Sequence, residues 1–296
     1  MTFKGMALAG IAAVTLSLSA GVAGAQVLQD WMSDDVADAW ADDYKGQGVS
    51  VTVIDDFTSN DRFRGNLGEG SKKWTHGMWT GRQIMLLAPE ADFYAKNFTS
   101  NSAVQLHSGL DVLNLSYGMY IPKRFPTGAI PWGAREESII EYAQTGQAVV
   151  VKAAGNDAVA IGDAVGGSID QLNMALVGGE STLFVGALEH NGTVDNPAYL
   201  ADYSNYAGDN AEVQENFLVV GVEGDITGLY GTSFAAPVVS GYAAILGSKF
   251  TTATPEDITN RLLDTARTDT VADYDVAVHG QGEASLSRAL APNTIN

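Results

Sequence analysis

The chain has 296 residues, 46% hydrophobic and 17% charged, which supplies enough apolar material for a sizeable core and argues against global disorder. Lys and Arg number 16 against 35 Asp and Glu, a formal net charge of −19, so nucleic acid and anionic membrane surfaces are poor partners. The absence of cysteine excludes disulfides, thiolate metal sites, iron–sulfur clusters and a cysteine nucleophile.

Taken in chain order, the first 25 residues read as a signal peptide. Lys4 precedes an apolar run from Met6 to Leu18, and Ala23-Gly24-Ala25 puts small residues where a signal peptidase reads them. Cleavage after Ala25 is expected, with a secreted or periplasmic product and no stable membrane insertion afterwards. The competing reading is an uncleaved anchor, since residues 5–29 carry no charge. Residues 26–296 are expected to form a single domain. Strands are predicted at Val49–Ile54, Val112–Leu115, Ala148–Lys152, Thr182–Val185 and Phe217–Val222. Helices are predicted from Trp79 to Leu87, Glu136 to Gln144, Val238 to Phe250 and, behind Pro255, Glu256 to Ala266. Strands alternating with helices point to one α/β domain whose parallel sheet is covered on both faces. In such folds sites gather at strand ends.

Without cysteine, a covalent hydrolase must use Ser or Thr. Ser233 lies in Gly231-Thr232-Ser233-Phe234-Ala235-Ala236-Pro237, ahead of an apolar helical run. Pro237 suits a first helical turn, so Ser233 falls where a helix dipole favours developing negative charge. An ordinary N-cap serine would look the same. A serine nucleophile needs a base. His107 lies on a short amphipathic stretch, Ala103 to Leu110, and reads as structural. His190 falls in the turn Glu189-His190-Asn191-Gly192 and reads as exposed. His76 opens the helical run that contains Met78 to Leu87, and its following Gly77 lets backbone pass close to the imidazole. His279, also followed by Gly, reads as a surface turn. The base needs an orienting acid, and Asp55 and Asp56 close the apolar strand Val49–Ile54. Strand alternation puts Asp55 on the face of Val51 and Val53, and Asp56 on that of Thr52 and Ile54.

These segments resemble the subtilisin-like serine peptidases, the subtilases. The resemblance rests on Val-Thr-Val-Ile-Asp55, Thr75-His76-Gly77 and Gly231-Thr232-Ser233-Phe234-Ala235-Ala236-Pro237, in the order acid, histidine, serine. A fourth segment, Val149-Val150-Val151-Lys152-Ala153-Ala154-Gly155-Asn156, ends where the family places its oxyanion-hole asparagine, and Asn114-Leu115-Ser116-Tyr117-Gly118 resembles its substrate-binding edge. The match spans roughly residues 45–290, essentially the whole mature chain. It implies a three-layer subtilisin-like fold, a mostly parallel seven-stranded sheet flanked by helices. It further implies Ser233 as nucleophile, His76 as base, Asp55 as its orienter and Asn156 as oxyanion donor. Peptide would lie extended along Leu115, Ser116, Tyr117 and Gly118, with the first specificity pocket between Ser116–Met119 and Ala153, Ala154 and Gly155.

The pattern departs from the family in places. Asp56-Phe57 stands where Ser or Thr and then Gly are usual, and Met78 replaces a usual Thr. Only residues 26–54 lie between the expected cleavage and Asp55, too few for a folded pro-domain. No cofactor is required. Many relatives bind calcium and the acidic surface leaves room for a structural ion, yet no Asp-rich loop with ligand spacing stands out, so no metal residues are assigned. The expected partner is a protein or peptide substrate. Two readings compete with peptidase. One is a catalytically silent subtilase fold that only binds. The other is an α/β-hydrolase esterase pairing Ser233 with His279, which leaves Asp55, His76 and Asn156 without a role.

Overall fold

Six parallel strands form the centre of the computed structural model, which describes residues 26–295. The expected signal peptide lies outside the described residues. The strands are β1 (Val49–Asp55), β2 (Asp92–Asn97), β3 (Leu110–Leu115), β4 (Val149–Ala153), β5 (Thr182–Leu188) and β6 (Phe217–Gly221), in the spatial order β6-β5-β4-β3-β1-β2. Inner strands read as apolar runs because both their faces are covered. Val49, Val51 and Val53 of β1 and Val149, Val151 and Ala153 of β4 face one core. Ile54, Val150 and Phe184 face the other.

Four helices matter for the site: α1 (His76–Leu87), α2 (Ala134–Gln144), α3 (Ala236–Lys249) and α4 (Pro255–Asp264). Helices α1, α3 and α4 cover the first face, and α2 covers the second with a short helix at Gln171–Leu176. Helix α3 is buried from Ala236 to Ser248, as expected of a helix that is apolar all round. A Cβ at Gly241 would come within 2.8 Å of Leu87, so glycine there lets α1 and α3 approach closely. Helix α4 starts with a full capping box, Thr254 and Asp257 exchanging hydrogen bonds around Pro255.

The sheet has six strands where seven were expected. The would-be seventh runs beside β6, where Gln281 N–H donates to Phe217 O and Ala284 N–H to Val219 O, but only Glu283 forms a bridge. Positive φ at Gly280 (55°) and Gly282 (109°) breaks its extended geometry. Strand β2 leaves little trace in the sequence. It is an edge strand with several exposed positions, so the apolar run that marks an inner strand is missing. Helix α1 begins at His76, not Trp79, and residues 103–109 form a loop leading into β3.

The topology selects the place for a site. From β1 the chain crosses to β2 on one side, and from β3 it crosses to β4 on the other. The carboxyl ends of β1 and β3 therefore flank a switch point, where α/β sheets open a crevice.

Candidate active site

Strand β1 delivers Asp55 to this crevice at 2% exposure. Its Oδ1 lies 2.6 Å from His76 Nδ1 and also accepts the Asp56 N–H at 2.6 Å. Its Oδ2 accepts from Thr80 Oγ1 at 2.9 Å. His76 and Thr80 stand one turn apart on the same face of α1, so one helix end holds both carboxylate oxygens. A carboxylate only accepts, so in the neutral imidazole Nδ1 carries the proton and Nε2 is left as the acceptor. A Cβ on Gly77 would sit 3.0 Å from Asp55 Cβ and 2.9 Å from Asp56 O, which is why the helix can start so close to the strand. Phe63 and Phe234 flank the imidazole, with ring centroids at 6.0 and 5.5 Å.

Asp56 turns elsewhere. Its Oδ1 accepts the Thr58 and Ser59 N–H groups at 3.1 and 2.9 Å. Partial burial works against its charged form, but the hydrogen bonds from Ser59 and Thr58, aided by His76, outweigh it and hold the carboxyl below its ordinary range.

Ser233 sits in the turn Thr232–Phe234 that feeds α3, with Pro237 in the first turn of that helix. Its hydroxyl donates to Ser116 O at 3.3 Å, and Ser116 Oγ returns a bond to Ser233 O at 2.9 Å. Ser116 accepts from Asn114 Nδ2 at 3.0 Å, and Asn114 Oδ1 accepts from Ser240 Oγ at 3.0 Å. This buried chain ties the end of β3 to α3. Among the described residues no hydrogen bond joins Ser233 Oγ to His76. Asn156 Oδ1 accepts from Thr232 N and Oγ1 at 2.8 and 3.0 Å, which leaves the Nδ2 hydrogens without a protein acceptor among the described residues.

Ser233, Asn156, Ser116, Tyr117, Gly118, Ala153 and Gly155 all line one cavity of about 330 Å³. Leu115 and Ala154 do not. Both are buried in the second core: Leu115 is the last residue of β3, and Ala154, just past β4, still donates its N–H to Val185 O of β5. Tyr117 is anchored from α2, its hydroxyl donating to Glu136 Oε1 at 3.2 Å beneath the Arg135 guanidinium.

The other histidines lie apart from Ser233. His107 stacks on Tyr94 at 3.8 Å and contacts Asp111. His190 is half-buried against Asn191 O, not exposed. His279 is not a surface turn but buried at 4% exposure on a short helix beside the amino end of β6, with Asp275 as its partner. Burial lowers its pKa against the opposing pull of Asp275. Sequence reasoning missed Thr80, Ser240 and Asp170, and gave no role to Asn114 or Lys152 although both stand in segments it singled out. Only Thr80 had a local signal, its four-residue spacing from His76. Among the described residues no group of three or more His, Asp or Glu is placed to hold a metal ion.

A carboxylate orienting an imidazole, beside a serine and a free amide at the switch point of a parallel sheet, is the layout of serine peptidases that run acid, histidine, serine. Residues 5–284 match Peptidase S8, the subtilase family, and the chain belongs to that family of peptidases. The fold is similar to that of the prenylagaramide maturation protease PagA, with a TM-score of 0.60 at 19% identity over 88% of this chain and 98% of that one. It also resembles a protease from Pseudoalteromonas arctica (TM-score 0.54, 19% identity, 87% and 93% covered). A third similar structure is MycP1 of the ESX-1 type VII secretion system (0.54, 20%, 86% and 83%). No curated protein matches. Family membership overturns the α/β-hydrolase esterase reading, as does the placing of His279 away from Ser233. Among the described residues no helix is long and apolar enough to cross a membrane.

Proposed function

We propose that the chain is a secreted or periplasmic serine endopeptidase. Ser233 Oγ attacks the carbonyl carbon of a peptide bond as His76 Nε2 takes its proton. The resulting oxyanion is held by Asn156 Nδ2 and the Ser233 N–H. His76 then returns the proton to the leaving amine, and water hydrolyses the acyl-enzyme by the same steps in reverse order. Asp55 keeps Nδ1 protonated and stabilises the imidazolium. The observation that carries this reading is the contact of 2.6 Å between buried Asp55 and part-exposed His76, beside a cleft lined by both Ser233 and Asn156. Catalytic hydrogen bonds are often unmade before substrate binds; in this reading the Ser233 hydroxyl leaves Ser116 O for the imidazole when peptide is bound.

One observation favours the silent binding reading: the Ser233 hydroxyl is bonded to Ser116 O. A serine-directed fluorophosphonate decides between the two. Covalent labelling of the wild type and none of Ser233→Ala, with loss of peptide cleavage in a variant that remains folded, is expected. Cleavage retained by purified Ser233→Ala would overturn the assignment. Export is proposed with cleavage after Ala25, and N-terminal sequencing of the exported protein should begin at Gln26; a start at Met1 or Thr2 would refute it.

A further inference from the structure

The cavity beside Ser233 has a charged floor. Lys152 extends from β4 at 1% exposure, donating to Ala153 O at 2.7 Å and to Asp170 Oδ2 at 3.0 Å. Asp170 Oδ1 accepts the Met119 and Leu172 N–H groups at 2.8 and 3.2 Å. This pair neutralises itself, and breaking a buried pair destabilises a fold strongly, so it is a fixed part of the pocket. Asp157 is different. It is exposed on the same wall, one oxygen accepts the Tyr120 hydroxyl, and its N–H donates to Asn205 Oδ1 at 2.9 Å. Its Oδ1 has no protein partner among the described residues. Burial and the neighbouring Asp157 raise the Tyr120 pKa, so that hydroxyl stays a donor. Apart from Lys152, no Lys, Arg or His among the described residues lines the cavity, and the lining carries one uncompensated negative charge.

We propose that this cavity takes a cationic side chain, Lys or Arg, at the substrate residue before the scissile bond, with Asp157 as the specificity-determining carboxylate. The proposal rests on the peptidase reading above and names the substrate class of that site. The cavity of about 330 Å³ has room for a long alkyl stem against Gly118, Ala153 and Gly155, with its charged head at Asp157. An acidic side chain would face Asp157 and Asp170 together, whereas the Lys152 ammonium is already committed. An apolar one would take Asp157 out of water with no new partner.

The test uses peptides that differ only at the residue before the scissile bond, carrying Lys, Arg, Leu or Glu. Lys or Arg should exceed Leu in kcat/KM by about tenfold or more, with Glu lowest. Asp157→Asn should cut the Lys-over-Leu ratio about tenfold, and Asp157→Lys should turn the preference toward Glu. A wild type that prefers Leu, or a Lys-over-Leu ratio untouched by Asp157→Asn, overturns this proposal alone. Failure to hydrolyse any of the peptides overturns the peptidase reading and this proposal with it.

Discussion

Two carboxylates in different parts of the molecule are buried to a similar degree, Asp55 at 2% and Glu283 at 8% exposure. Asp55, at the end of β1, has partners on both oxygens, and one of them is an imidazole. Glu283, beside β6, accepts the Gly192 N–H on Oε1 at 2.9 Å. Its Oε2 has no hydrogen-bond partner among the described residues, although Thr270, itself unpartnered there, stands close by. Burial pushes its pKa up to about 7, with the Thr270 hydroxyl, the Gly192 N–H and the Arg267 charge opposing the rise. Glu283 lines a second cavity, of about 420 Å³, with Asp30, Asp34, Asp35, Glu223 and Arg267. A raised pKa in a cavity would by itself mark Glu283 as an acid–base candidate. No histidine among the described residues lines its cavity, so its carboxyl has no imidazole to orient. What sets the two carboxylates apart is their partners, not their depth.

The largest expected effect lies at Asp55. Asp55→Asn should lower peptide turnover by on the order of 10⁴-fold, because an amide can hold the wrong imidazole tautomer. Turnover within tenfold of wild type, measured on the same peptide, would dissolve the contrast with Glu283. The next effect is on stability. A carboxylate with a folded-state pKa of about 7 against an ordinary 4.5 binds a proton in the folded state that the unfolded chain has already lost. Stability is therefore full below the ordinary value and falls as pH rises through this window, by about 3 kcal/mol in all. Glu283→Gln should flatten that fall and raise the urea midpoint at pH 8 more than at pH 5. Parallel midpoints in both proteins at both pH values would show that Glu283 is not the titrating group. The smallest effect is expected at Asp56. Asn can serve the same turn to Thr58 and Ser59, so Asp56→Asn should stay within about threefold of wild-type turnover. A dead Asp56→Asn beside an active Asp55→Asn would mean that the acid is the other carboxylate.

Most of the sheet was legible because a strand covered on both faces must be an apolar run, and five of the six strands are. Strand β2 was not, since an edge strand keeps exposed positions and so loses that signature. The missing seventh strand depends on two glycine conformations that an alternating pattern does not encode. The residues of the candidate site were legible for a related reason. Asp55 closes an apolar strand, Ser233 precedes a proline-started helix, and His76 opens a helix ahead of a glycine, all of them patterns only a few residues long.

The sequence by itself thus determined the α/β class, most of the strand and helix positions, and the short segments in which Asp55, His76, Asn156 and Ser233 stand. Only the tertiary structure decided which groups meet. Thr80 reaches Asp55 across 25 positions, Ser116 meets Ser233 across 117 and Ser240 meets Asn114 across 126. It also decided that Lys152 finds Asp170, that His279 is buried, and that Glu283 keeps an oxygen without a partner among the described residues. Local patterns report burial and periodicity because those depend on neighbours in the chain. A hydrogen-bond partner depends on how layers pack, and a buried polar group is stabilising or costly according to that partner alone.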